Sequence, residues 1–87
     1  MAVVGELDRA TVPRFECAVA DLQDPEFLVL DLHLLEFIDA GGLRAIVEMA
    51  RKAERSGRSM QLANPSPTLR RLFTLTGLER SVQLVTD

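Results

Sequence analysis

Between Phe27 and Arg55 the hydrophobic period changes once, abruptly, and this change constrains the fold most. Phe27 to Leu35 is almost continuously apolar, the pattern of a strand buried on both faces in a parallel sheet. From Leu43 to about Arg55 the residues Leu43, Ile46, Val47, Ala50 and Ala53 recur at helical spacing. Arg44, Glu48, Arg51, Lys52 and Arg55 cover the other side, with Glu48 and Lys52 placed as an i,i+4 pair worth ~0.3 kcal/mol. The join is Phe37-Ile38-Asp39-Ala40-Gly41-Gly42-Leu43, which reads as a strand-to-helix turn. Asp39 suits an N-cap, because its carboxylate can accept from free N–H groups of the first turn. Gly41 and Gly42 place no side chain over those groups. The expectation is a bare, exposed helix start, open to an anion or to a partner's surface.

The remaining segments repeat the alternation. Ala2-Val3-Val4 reads as the tail of a strand, and Gly5-Glu6-Leu7-Asp8 as a turn. Thr11 suits an N-cap and Pro13 a first helical turn. Val12, Phe15, Val19 and Leu22 follow at helical spacing, with Ala18 on the same face. Gln23-Asp24-Pro25 should stop that helix, since the residue before proline avoids helical geometry. Met60 to Ala63 is a short strand, and Asn64-Pro65-Ser66-Pro67 a turn. A helix from Thr68 to about Thr76 has Leu69, Leu72, Phe73 and Leu75 as its apolar side. Gly77 caps it, Leu78 folds back, and Val82 to Val85 closes as a strand. The predicted fold is therefore one α/β domain spanning residues 1–87. It has a small, mainly parallel sheet of about four strands alternating with helices. Working surfaces of such sheets lie beyond the carboxyl ends of the strands. Gly5–Asp8, Asp39–Gly42 and Asn64–Ser66 should therefore cluster on one rim.

Composition closes off other classes. A net charge of -3 does not favour a phosphate backbone, and no Trp or Tyr is present to stack bases. With a single Cys17 and a single His33, no internal disulfide or Cys/His metal site is expected. No Asp-x-Asp spacing supports a cation site at Asp8, Asp31 and Asp39. No nucleophile–base pair stands out, so an enzyme is not expected and no cofactor is implied. The apolar runs are far too short to span a membrane, and no signal peptide is evident. The default is a cytoplasmic protein. Asp8 either meets a partner or organises its own turn. Asp31 is read as satisfying backbone groups near a strand end.

The same residues resemble a family. Gly5-Glu6-Leu7-Asp8-Arg9-Ala10-Thr11 followed by Pro13 looks like the G-E-L-D-x-x-T opening of STAS domains. Leu30-Asp31-Leu32 and then Phe37 to Leu43 look like their D-L…F-[ILM]-D-S-[SA]-G-L core. Thr76-Gly77-Leu78 looks like their closing T-G-L. Family members usually carry one more strand before the one ending at Val4. The resemblance therefore implies a missing or truncated edge strand, and an open sheet edge that invites homodimerisation.

Bacterial single-domain members of this family are mostly anti-sigma-factor antagonists. The resemblance implies binding to an anti-sigma factor, often a GHKL-type serine kinase, and so a role in sigma-factor-dependent transcription. In the family that kinase phosphorylates a serine just after the motif aspartate. Here that position is Ala40, which has no hydroxyl, and Gly41 beside it has none either. Switching by phosphorylation at this position is therefore excluded by the residue itself. Ser66 and Thr68 are the candidates for control elsewhere. The implied contact surface is Asp8, Asp39, Ala40, Gly41, Gly42, Arg44 and Glu48. The alternative comes from the likeness of Asp39-Ala40-Gly41-Gly42-Leu43 to the D-T-G-G-L turn of STAS subunits that brace ABC-type lipid transporters.

Overall fold

The computed structural model describes residues 1–22, 27–80 and 82–86. The Gln23-Asp24-Pro25 stop lies outside the described residues. The elements are β1 (Gly5–Leu7), α1 (Val12–Ala20), β2 (Phe27–Asp31), β3 (Leu35–Ile38), α2 (Ala40–Arg55), β4 (Ser59–Ala63), α3 (Pro67–Thr76) and β5 (Gln83–Val85). A short 3-10 turn, Leu78–Arg80, follows α3.

All strand pairs are parallel: β1 with β3, β2 with β4, and β4 with β5. One parallel bridge, Ala2 to Asp31, ties the two sheets together. The same partner strand continues past it, with the register slipping on the way: Ala2 faces Asp31, Gly5 faces Leu35 and Leu7 faces Ile38. β2 and β3 are thus two halves of one interrupted strand, with residues 2–7 alongside both. The interruption is the turn at Leu32–Leu35, closed by Leu35 N–H donating to the Leu32 carbonyl at 3.1 Å. Opposite it, Gly5 adopts φ +81° and the ladder shifts register. Counted this way, the sheet has the expected four strand positions, in the order N-terminal strand, β2/β3, β4, β5.

That order equals the sequence order. Right-handed crossovers between parallel strands then send every helix to the same face. α2 packs on β4, β1 and β3, and α1 packs on α2. A single core joins them, centred on Leu7, Leu30, Ile46, Leu62 and Phe73. This overturns one expectation. β2 is not buried on both faces: Phe27 is 53 % exposed, and an exposed Gln61–Gln83 side-chain bond of 2.9 Å lies on the uncovered face.

Other departures have local reasons. Gly5-Glu6-Leu7 is strand rather than turn, because β3 supplies a ladder that the sequence did not announce. Ala18 and Leu22 are exposed, and Phe15 alone of α1 is buried. Leu75 is 77 % exposed, while Leu69 and Phe73 carry the packing of α3. Ser66 caps that helix through Leu69 N–H at 3.2 Å, and Gly77 ends it at φ +76° with Leu78 buried, as expected.

These burials set opposite outcomes for two leucine-sized side chains. Ile46→Ala should lower the unfolding free energy in urea by about 3 kcal/mol. Leu75→Ala should change it by less than about 0.5 kcal/mol. Similar losses for both would contradict the assignment of the faces.

Candidate functional site

Asp39 occupies the N-cap of α2 with extended backbone (φ -104°, ψ -176°). One carboxylate oxygen, Oδ1, accepts from Gly42 N–H at 2.8 Å. The other, Oδ2, accepts from Arg9 N–H at 3.2 Å. Gly41 N–H also bonds to this carboxylate, and Leu43 N–H reaches the Asp39 carbonyl at 2.9 Å. Asp39 N–H in turn donates to the Leu7 carbonyl at 3.2 Å. One residue therefore fastens the end of β1, the loop after it and the start of α2.

The helix start is thus not vacant. The carboxylate already fills the position an incoming anion would take, and its negative charge would repel one. The expectation of an anion site falls on this geometry. The expected N-cap role holds.

The two glycines differ. A Cβ on Gly42 would overlap the Leu7 carbonyl oxygen and lie 2.8 Å from Leu7 C and 2.9 Å from Ile38 Cγ1. Gly42 is buried and lets α2 approach the backbone of β1. It therefore leaves the expected contact surface. A Cβ on Gly41 would lie 3.3 Å from Asp39 Oδ1 and 3.5 Å from Arg9 Cα, a tight but adjustable fit.

Asp8 organises its own turn. Its Oδ1 accepts from Ala10 N–H and Thr11 N–H, each at 2.9 Å, and Thr11 Oγ1 accepts from Asp8 N–H at 2.9 Å. Thr11 spends its hydroxyl there and makes no side-chain cap to α1. The exposed top is formed by Arg9, Ala10 and Ala40. Arg44 and Glu48 continue it along α2, 4.0 Å apart and both largely exposed. Among the described residues this is the ion pair of Glu48, in place of the expected one with Lys52.

Asp39 joins two of the three expected turns directly. Asn64 N–H donates to the Val85 carbonyl at 2.9 Å, and its side chain bonds to Asp31. The third turn is therefore tied to the ends of β2 and β5. β2 stops short of the rim because the strand is interrupted, which the sequence pattern did not reveal. Asp31 also accepts from His33 N–H at 2.9 Å, the backbone role expected of it. Ser66, proposed for control elsewhere, is engaged as a helix cap.

Both aspartates are held below the ordinary carboxylate range. For Asp39 the main cause is the Gly42 N–H bond, opposed by partial burial and reinforced by the Arg9 and Gly41 N–H groups and the Arg9 charge. For Asp31 it is the His33 N–H bond, opposed by desolvation and helped by Asn64.

Three comparisons bear on this arrangement. The model of the STAS domain family matches residues 1–87. The anti-sigma-F factor antagonist RsfB of Mycobacterium tuberculosis is 30% identical over 86 residues, covering 97% of this chain and 70% of RsfB. Among solved structures, an anti-sigma factor antagonist from Mycobacterium paratuberculosis superposes with a TM-score of 0.84 at 30% identity, covering 97% of this chain and 73% of that one. The Bacillus cell fate determinant SpoIIAA in its phosphorylated form gives 0.73 at 26% identity, over 99% of this chain and 80% of that one.

Two outcomes check the turn. Gly42→Ala should destabilise by roughly 3 kcal/mol, because backbone must move, whereas Gly41→Ala should cost clearly less. The depressed folded-state pKa of Asp39 means its contribution is fully present above the unfolded value, near 3.8, and is lost as pH falls through the folded value. Wild type should therefore exceed Asp39→Asn in stability at about pH 6, and the gap should close on acidification. A gap independent of pH would refute the carboxylate's role.

Proposed function

The chain belongs to the STAS domain family, and from that premise we propose that it is an anti-sigma-factor antagonist: a cytoplasmic binding module, not an enzyme, that docks an anti-sigma factor and so frees a sigma factor. The supporting observation is the Asp39 turn. It presents the loop Asp8–Ala10 and the small residues Ala40 and Gly41 at one exposed place, fixed by bonds that leave little to reorganise on binding. Arg44 and Glu48 extend the surface with one charge of each sign.

The partner we propose is an anti-sigma factor of the GHKL serine-kinase type. Ala40 stands where the family carries its phosphoacceptor, so binding is not switched off at this position. A relative, SpoIIAA, is known in a phosphorylated form. This chain is proposed to bind continuously or to be controlled outside this turn. Homodimerisation along the N-terminal strand is a subsidiary proposal, in which the exposed Val4 would be covered. A sedimentation coefficient independent of concentration would exclude it.

The docking test is affinity capture from the native cytoplasm with wild type and Ala40→Glu side by side. Wild type should retain an anti-sigma factor, and Ala40→Glu should lose it. A charge at the centre of the contact, beside Asp39, would be desolvated without a partner. Equal retention would place the contact elsewhere. Capture of a transporter ATPase in its place would favour the alternative, a STAS subunit bracing a lipid transporter.

A further inference from the structure

A concavity lies at the other end of α2 from the Asp39 turn. It is a half-open groove of about 560 Å³ between the carboxyl halves of α1 and α2, above the first residues of β2 and β4. Its floor is apolar: Val19, Leu28, Met49 and Ala53, all half-buried, face the space. Arg51, Lys52, Arg55 and Arg58 line the lower end. Glu16 and Glu48 line the upper end, and Glu48 has Arg44 beside it. Glu48 and Arg55 are seven residues apart on one helix, roughly 10 Å along its axis. The groove therefore has an apolar length and a cationic end, on a chain whose net charge is -3.

Lys52 and Arg55 sit in the last turn of α2, where cations also offset the helix dipole. That role does not account for Arg51. Nor does it account for half-buried apolar side chains left open beneath them. The volume is that of a small-molecule site and is too small to seat an amphipathic protein helix.

We propose that this groove binds a single-chain amphiphile with an anionic headgroup, of the long-chain carboxylate class. The chain would lie on Val19, Leu28, Met49 and Ala53. The head would meet the guanidinium and ammonium groups of Arg51, Lys52 and Arg55, with Arg58 adjacent; planar guanidinium groups match a carboxylate's geometry. The groove shares Glu48 with the docking surface, but its cationic end and apolar floor lie away from Ala40 and Gly41.

The probe is sodium dodecanoate below its critical micelle concentration, titrated into the full chain by calorimetry and followed by amide chemical shifts. Binding should saturate at about one molecule per chain, with the largest shifts at Val19, Leu28, Met49 and Ala53. Dodecyltrimethylammonium, with the same chain and opposite charge, should bind at least roughly tenfold more weakly. The double variant Arg51→Glu/Arg55→Glu should lose a similar factor. Ala53→Leu, which fills the floor, should weaken binding while keeping the melting temperature near that of wild type. Ala40→Glu should leave dodecanoate binding unchanged, which separates this site from the docking surface. Equal affinity for the two amphiphiles, shifts confined to other residues, or no saturable binding would each overturn the proposal. So would displacement of dodecanoate by an acidic peptide at comparable affinity, which would assign the groove to a protein segment.

Discussion

The Asp39 carboxylate is the interaction on which the working end of this fold depends. A helix N-terminus leaves backbone N–H groups without partners, and a strand end leaves a loop free to move. Here one side chain answers both needs. It accepts from Gly42 and Gly41 within α2 and from Arg9 across 30 residues of sequence. Because these donors are backbone groups, the bonds fix the path of the chain rather than the pose of a side chain. Gly42 completes the constraint by letting α2 touch the Leu7 carbonyl. Any larger residue there would run into the Leu7 backbone.

This arrangement separates support from display. Asp39 and Gly42 are turned inward on structural duties, whereas Ala40, Ala10 and Arg9 are left on top. A surface of small residues held by backbone bonds lets another protein's main chain come close, and little ordering cost remains for binding. Ala40 carries no hydroxyl, so the platform itself offers no phosphoacceptor at that position. The basic groove at the far end of α2 adds a second surface of different chemistry on the same helix.

The sequence revealed the alternation of strands and helices, the cap at Asp39 and the stop at Gly77, because each rests on local pattern or local turn chemistry. Asp31 was legible as a backbone acceptor near a strand end for the same reason, whereas for Asp8 the turn role was one of two readings left open. The break between β2 and β3 was not. Phe27 to Ile38 is apolar throughout, and apolarity does not record where a strand kinks. Missing it misplaced β1 and hid that the Asn64 turn is tied to the ends of β2 and β5. The one-sided burial of β2 follows from strand order, a non-local property. Gly42's contact with Leu7 is non-local too. Sequence showed two glycines in a row, but not which of them touches β1.

Hydrogen exchange at individual amides, for the chain alone and bound to its captured anti-sigma factor, tests the central claim most directly. Gly42 and Arg9 should be protected together in the free protein, since one carboxylate holds both. On binding, new protection should appear at Ala40, with little change at Gly42. Unprotected Arg9 and Gly42 in the free protein, or new protection confined to residues remote from the Asp39 turn, would contradict the account.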